Sequence, residues 1–347
     1  MMCMRISEPS CLYMAANIND YRENKRRSNF ELLRILCMTG VLVGHALIVL
    51  YQDQIHSADW SAINQLRVLI LNASAVSLNC FVMISGYFTI RTNGRKVLRF
   101  WSICLWYAVL AWICFGGSWV SELFPITQAG MWFLPCYLAL MLFCPLLNAG
   151  LEALDGNRLY KCVGLLLLAD IYVGYWHQSA EIGVNGYGIF HFVTLYCMGF
   201  TIAHWDICMK NAGVWCAGCF LLMTVLHAVK VVWPPMAAIY SLHYNSPALI
   251  CAAVLVFLWA KGLNLQSRVI NWVASSVFAV YLVHCSPVVY PYFQQCLWNI
   301  RESCDSEGMS AALIGLLLTA IFVGSILIDK VRMGVFGLIE SVWQHRK

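Results

Sequence analysis

Ten apolar segments constrain this chain more than any other feature of its sequence, because each is long enough to cross a lipid bilayer as a helix. A transmembrane helix needs about 17–25 predominantly apolar residues. Only 11% of the residues are charged, against about 25% in soluble domains. The sequence therefore predicts an all-α, polytopic integral membrane protein. The segments are centred on residues 31–51, 67–89, 98–117, 130–149, 161–177, 187–205, 212–233, 245–261, 269–291 and 309–329.

The basic residues between these segments predict how the chain is oriented in the membrane. If both termini lie on the same side, 18 of the 22 Lys and Arg residues fall on that side as well. Cytoplasmic loops carry such an excess of Lys and Arg, so both termini are predicted to be cytoplasmic. Only Arg67, Lys230 and Arg301 fall near the outer surface. No basic patch with interleaved aromatic residues is present, which argues against nucleic-acid binding.

The chain is predicted to have one membrane domain between two short cytoplasmic segments. Residues 1–28 are polar and lack the apolar core of a signal peptide, so we expect a disordered leader. Residues 29–330 form the predicted transmembrane domain, and residues 331–347 form a short tail. In the second apolar segment, Ser85 and Gly86 indicate a bend or close helix packing.

An arginine and a histidine lie inside the first apolar segment, which reads NFELLRILCMTGVLVGHALIVLY. Arg34 and His45 are eleven residues apart, which places both side chains on one helix face, about 16 Å apart along the axis. Ionisable residues inside a spanning helix suggest a functional site. His45 is a candidate general base. The alternatives are an arginine that extends to the membrane surface and a neutral histidine that only joins two helices.

Four basic residues follow the second apolar segment at the predicted inner surface, namely Arg91, Arg95, Lys96 and Arg99. Together with Arg34 they form a cluster suited to a phosphorylated ligand, which charge-assisted hydrogen bonds would hold. The alternative is that the loop residues only set the orientation of the chain and contact lipid phosphates. The sequence leaves both interpretations open.

Other polar and aromatic residues in the apolar segments are weaker candidates. His284 lies toward the outer end of the ninth segment, at a depth similar to that of His45. Trp132 opens the fourth segment, where an interfacial anchor is the default interpretation. Asp170 and His191 interrupt the fifth and sixth segments and are candidates to line an external cavity. Serine-hydrolase and nucleotide-binding motifs are absent, and the histidines lack the spacing of a metal site, so no metal is predicted.

Several of these motifs, in this order, resemble the membrane-bound acyltransferase 3 family. They are the Arg–ten residues–His pattern at Arg34 and His45, FVMISGYF at 81–88 with the basic residues after it, WFLPCYLALMLFCPLLN at 132–148, and FAVYLVH at 278–284. The resemblance extends over about residues 29–330. It implies ten helices and the transfer of an acyl group, often acetyl, from cytoplasmic acyl-CoA to a hydroxyl of a sugar or cell-envelope glycan.

The resemblance also implies roles for individual residues. His45 would be catalytic, and Arg34 would serve both catalysis and donor binding, together with Arg91, Arg95 and Arg99. His284 matches a late motif of the family and is assigned, with Trp132, to substrate binding. The donor would be acyl-CoA, no metal would be needed, and the protein would lie in a bacterial inner membrane.

A transporter of an anionic solute is the alternative function, since it would use Arg34 and His45 for binding and proton coupling. Transporters often contain paired repeats, and the sequence shows none, which favours the enzyme.

Overall fold

A computed structural model describes residues 27–57, 59–116, 130–181 and 183–344, and every regular element in these ranges is helical. The all-α prediction is therefore confirmed. Residues 1–26 of the predicted leader lie outside the described residues. The α-helices are α1 (Ser28–His56), α2 (Ala62–Ala75), α3 (Ser77–Tyr87), α4 (Gly94–Phe115), α5 (Phe133–Ala153), α6 (Gly156–Ala169), α7 (Ile189–His204), α8 (Ala212–Val232), α9 (Pro247–Lys261), α10 (Arg268–Ala274), α11 (Phe278–His284), α12 (Tyr290–Ser303) and α13 (Glu307–Gln344).

Seven helical stretches in the described part of the chain have the length and apolar composition needed to cross a membrane. Three shorter apolar stretches, at α7, α9 and α10–α11, overlap the remaining predicted segments. The multi-pass prediction is confirmed, and the count of ten spans stays a prediction. The seven long stretches are Ser28–His56, Ala62–Tyr87, Gly94–Phe115, Phe133–Ala153, Gly156–Trp176, Ala212–Val232 and Glu307–Ile339.

Helix α1 lies at the centre of the bundle and contacts α2, α3 and α9–α13. Phe30 and Leu33, in its first part, belong to one buried apolar cluster with residues of α3, α7 and α9. Leu42 and Ala46, further along, belong to a second cluster with residues of α11, α12 and α13. The helix that carries Arg34 and His45 is therefore packed on several sides by other helices.

The ninth predicted segment, 269–291, is not one continuous helix. Residues 275–277 separate α10 from α11, and α11 ends at His284. The Ser275 hydroxyl donates a hydrogen bond to the carbonyl oxygen of Trp272 at 2.8 Å, a contact that competes with regular helical bonding. Pro287 follows closely and disfavours a helix at the residue before it. This local structure places His284 at a helix end beside Cys285.

The last helix, α13, extends through most of the predicted tail. It runs without a break from Glu307 to Gln344, so residues 331–344 continue the helix. Near this end, the Asp329 carboxylate accepts hydrogen bonds from Arg332 at 2.7 Å and from Tyr107 of α4 at 2.8 Å. This buried polar contact joins α13 to α4.

Helices α3 and α7 approach each other most closely at two glycines. A Cβ atom on Gly86 would lie 1.9 Å from the carbonyl oxygen of Tyr196, and one on Gly199 would lie 2.1 Å from that of Met83. The close packing indicated by Gly86 in the sequence is therefore present, and there is no room at this contact for a methyl group.

We expect Gly86→Ala to destabilise the protein, because the added methyl group meets backbone rather than a movable side chain. Overpacking of this kind costs about 1–3 kcal/mol, so the melting temperature in detergent should fall. Gly150→Ala is the matched control, since a Cβ there has no neighbour within 4 Å and alanine favours the helix. Equal melting temperatures for the two variants would contradict the close contact.

Candidate active site

Two histidines and a cysteine meet where α1 passes the end of α11. The Nδ1 atom of His45 lies 3.0 Å from Nε2 of His284. The Sγ atom of Cys285 lies 3.5 Å from Nδ1 of His45 and 3.3 Å from Nε2 of His284. The sequence predicts that the two histidines lie at a similar depth, and in the structure their side chains are in direct contact.

Hydrogen bonding determines which nitrogen of each neutral ring carries the proton. The Nδ1 atom of His284 lies 2.5 Å from the carbonyl oxygen of Val280, which can only accept a hydrogen bond. His284 therefore carries its proton on Nδ1, and its Nε2 accepts a hydrogen bond from Nδ1–H of His45. As a result, Nε2 of His45 is unprotonated and has a lone pair that can take a proton.

His45 faces a cavity of about 170 Å³. The walls are mostly aliphatic and aromatic with a few polar groups, which is the usual character of a small-molecule site. Trp132 and Cys285 line this cavity together with His45, whereas His284 lies behind His45. The lining residues are Met38, Gly40, Val41, Gly44, His45, Ile48, Leu71, Ser74, Ala75, Leu78, Phe81, Gly130, Trp132, Phe133, Tyr187, Leu242, Tyr244, Phe278, Tyr281 and Cys285.

Trp132 belongs to a group of aromatic rings at the wall of the cavity. Its ring centroid lies 4.5 Å from that of Tyr187 and 5.6 Å from that of Tyr244. Tyr244 lies between α8 and α9, and burial raises the pKa of its hydroxyl, which therefore stays protonated. The ring of Trp132 is partly buried and packs against other aromatic residues at the cavity, and its place at the membrane interface stays a prediction.

Arg34 lies toward the opposite end of α1, and it does not line the cavity. Its Nη1 atom forms an ion pair of 2.9 Å with Glu31, a carboxylate that is 8% exposed. The start of α1 lies beside the end of α3, because Phe30 packs on Tyr87 and Phe88 with ring centroids 4.7 Å and 5.1 Å apart. Sequence reasoning missed Glu31, although its position three residues before Arg34 on one helix face is a recognisable signal.

The three arginines that follow α3 have exposed side chains. Arg91 precedes α4, and Arg95 and Arg99 lie in its first two turns. They lie at the end of the bundle where α1 begins. Within the described residues, no hydrogen bond or ion pair joins them to Arg34. The structure thus brings them to the same end of the protein as Arg34 and leaves their charged groups open to solvent or a ligand.

Tyr137 lies between the Arg34 end of α1 and the His45 cavity. Its hydroxyl is 3.1 Å from the Ser85 hydroxyl and interacts electrostatically with Arg34. Its ring stacks on Phe133, with centroids 5.4 Å apart, and Phe133 lines the cavity. Tyr137 therefore lies near both Arg34 and the wall of the cavity that His45 lines.

Asp170 and His191 form a buried ion pair behind the aromatic wall. The Asp170 carboxylate lies 2.6 Å from Nδ1 of His191, and each side chain is 1% exposed. The other ring nitrogen of His191 contacts Asn79 at 3.1 Å, and the Asn79 amide donates to the carbonyl oxygen of Tyr244 at 2.8 Å. Neither member of the pair lines the cavity beside His45. Instead, the network supports the wall through Tyr244.

The His45, His284 and Cys285 side chains also offer three potential metal-ligand atoms, all within 4.8 Å of one another. Imidazole nitrogen and thiolate are donors that Zn²⁺ accepts. Two nitrogens bound to one tetrahedral zinc would lie about 3.3 Å apart, whereas these two are 3.0 Å apart, the separation of a hydrogen bond. The sequence-based prediction that no metal is needed stays a prediction.

The fold and site define a class of protein, namely a multi-pass helical membrane protein with a histidine pair beside an internal cavity. The acyltransferase 3 family, described as an acyltransferase domain, matches residues 27–330. The chain belongs to this family and is an integral-membrane acyltransferase, which confirms the resemblance carried by the sequence motifs. No curated protein and no solved structure matches the chain.

Proposed function

We propose that this protein transfers an acyl group, acetyl in the first instance, from cytoplasmic acyl-CoA to a hydroxyl of a sugar or cell-envelope glycan in a bacterial inner membrane. One observation carries the proposal. The His45 side chain lines a cavity, and its Nε2 atom is unprotonated. A neutral imidazole placed in this way is suited to act as a general base.

In this mechanism His45 removes the proton from the acceptor hydroxyl. The hydroxyl oxygen then attacks the carbonyl carbon of a thioester, and the bond between that carbon and the sulfur breaks. The leaving thiolate takes the proton from the His45 imidazolium. His284 accepts the hydrogen bond from Nδ1–H of His45, and Val280 fixes the orientation of His284. His284 is therefore a positioning residue in this proposal, rather than a group that contacts the acceptor.

The basic end of α1 is the proposed donor site. Arg34, Arg91, Arg95 and Arg99 would bind the phosphate groups of acyl-CoA from the cytoplasm. Charge-assisted hydrogen bonds from arginine suit phosphate oxygens. The helical rise between Arg34 and His45 is about 16 Å, a separation that the long pantetheine arm of CoA would bridge. Glu31 would hold the Arg34 side chain in place.

The aromatic wall is the proposed acceptor site. Trp132, Tyr187 and Tyr244 present a group of rings to the same cavity as His45. Such rings offer flat apolar faces as well as polar edges, and both suit a sugar with apolar C–H groups and hydroxyls. Trp132 would position the acceptor so that one hydroxyl meets Nε2 of His45.

The decisive experiment is an assay of the purified protein in detergent with acetyl-CoA and a panel of glycan acceptors. We expect thiol release that depends on an acceptor, together with an acetylated glycan detected by mass spectrometry. No ion gradient should be needed, which separates an enzyme from a transporter. A protein that binds acetyl-CoA and moves it or another anion across liposomes without consuming the thioester would overturn the proposal.

We expect Arg34→Ala to raise the KM for acetyl-CoA by about 10–100-fold with a much smaller change in kcat. The range corresponds to the loss of a hydrogen bond to a charged group, about 1.5–3 kcal/mol. Arg158→Ala is the matched control, because Arg158 is an exposed residue of α6 that pairs only with Asp155 among the described residues. An unchanged KM in Arg34→Ala would remove Arg34 from the donor site.

A further inference from the structure

Cys285 is a polar member of the site that the mechanism above does not use. Its thiol lines the cavity beside His45. It also lies within hydrogen-bond reach of both histidines, at 3.3 Å and 3.5 Å. Among the described residues, Cys285 is the cysteine that forms a compact cluster with two histidines.

The contacts around Cys285 have the arrangement of an activated nucleophile. In that arrangement the nucleophile lies within hydrogen-bond reach of a base, and a third group orients the base. Here Cys285 is the potential nucleophile, Nε2 of His284 is the base, and the Val280 carbonyl orients His284 through Nδ1–H. Once Nε2 of His284 takes the thiol proton, it can no longer accept from Nδ1–H of His45. That N–H group lies 3.5 Å from Sγ, near enough to donate to the thiolate instead.

The size of the cavity also favours a nucleophilic role for Cys285. At about 170 Å³ it is smaller than the roughly 300–1,000 Å³ of a usual small-molecule site. A cavity of this size suits the thioester end of the donor and a sugar ring better in turn than together. A group that stores the acyl chain on the protein would let the donor leave before the acceptor arrives.

We propose that Cys285 carries the acyl group as an S-acyl-enzyme intermediate between acyl-CoA and the acceptor hydroxyl. This inference rests on the proposed function and divides it into two half-reactions. His284 serves the first half-reaction, in which the thiol is acylated. His45 serves the second, in which the acceptor is deprotonated.

In the first half-reaction the Cys285 thiol gives its proton to Nε2 of His284. The Sγ atom attacks the carbonyl carbon of acyl-CoA and forms a new carbon–sulfur bond. The bond between that carbon and the CoA sulfur then breaks. The CoA thiolate takes the proton from His284 and leaves as the free thiol. One thioester replaces another, so no oxidant or reductant is needed.

In the second half-reaction Nε2 of His45 removes the proton of the acceptor hydroxyl. The acceptor oxygen attacks the acyl carbon on Cys285, and the carbon–Sγ bond breaks. The thiolate takes a proton from the His45 imidazolium, which returns the imidazole and the thiol to their neutral states. The products are the O-acylated acceptor and free CoA.

The test begins with wild-type protein, acetyl-CoA and no acceptor. After an acid quench, we expect the mass of one acetyl group on the peptide that contains Cys285, removable by hydroxylamine. We also expect labelled CoA to exchange into acetyl-CoA without an acceptor, because the first half-reaction is reversible. These measurements need no variant and so do not depend on how well a variant folds.

Variants then assign the exchange to one residue. Cys285→Ala and Cys285→Ser should both lose exchange and transfer by at least about 100-fold. Cys104→Ala is the matched control, since Cys104 is a buried thiol in the same apolar cluster and has no place in the site. Acetyl transfer at the wild-type rate by either Cys285 variant would overturn the intermediate and leave the proposed function standing. A wild-type protein that neither exchanges nor transfers would overturn both.

Discussion

The His45→Gln variant is expected to lose most of its acyl transfer, with kcat lowered by about 10²–10⁴-fold. Glutamine preserves much of the size of the side chain, but its amide cannot take a proton from the acceptor at neutral pH. The Nε2 atom of His45 is the group that does so in the proposed mechanism, because Nδ1 is committed to His284. The measurement is acceptor-dependent release of free thiol from acetyl-CoA at saturating substrate.

His204→Gln is the control for this variant, because His204 lies at the end of α7 and stacks on Phe200 away from the cavity. It should transfer acyl groups at the wild-type rate. The melting temperatures of both variants in detergent should stay near that of the wild type. A folded His45→Gln protein with undiminished kcat would show that another group acts as the base.

The largest loss of stability is expected from Asp170→Ala. The substitution removes the partner of His191 in a fully buried pair, and it also removes an acceptor for the Asn245 amide at 3.3 Å. Breaking one side of a buried ion pair costs about 3–5 kcal/mol. We therefore expect a markedly lower melting temperature in detergent and a lower yield of folded protein.

Glu152→Ala provides the comparison for Asp170→Ala, since Glu152 is an exposed acidic residue of α5. It should leave the melting temperature nearly unchanged. If both variants have the melting temperature of the wild type, the Asp170–His191 contact contributes little to the stability of the folded protein. A loss of acyl transfer alone, with unchanged melting, would instead indicate that the pair acts through the aromatic wall.

The sequence predicts much of the helical architecture because apolar length and the positions of basic residues are local signals. The common face of Arg34 and His45 follows from helical periodicity within one element. The break at residues 275–277 is less visible, since serine is tolerated inside membrane helices. The end of α11, which lies between that break and Pro287, is beside His45.

Contacts between distant segments account for what the sequence does not reveal. In the sequence, Cys285 only follows His284 in an apolar segment, and the contact of its thiol with α1 depends on where α11 packs. Asp170 and His191 look like two unrelated interruptions of weak segments, yet they pair because α7 packs beside the helical stretch that contains Asp170. Glu31 is the exception, since its relation to Arg34 is local and could have been recognised.

Helix α1 is regular from Arg34 to His45, and its only non-helical residue is Tyr51, beyond both. The two positions therefore stand at a fixed separation that no hinge within this stretch can alter. In the proposed reaction, the length of α1 between Arg34 and His45 sets the distance that the donor must span between its phosphates and its reactive carbon. The enzyme would then select its donor by the length of the carrier arm rather than by the acyl group. A donor with a shortened arm could bind Arg34 or reach His45, but it could not do both at once.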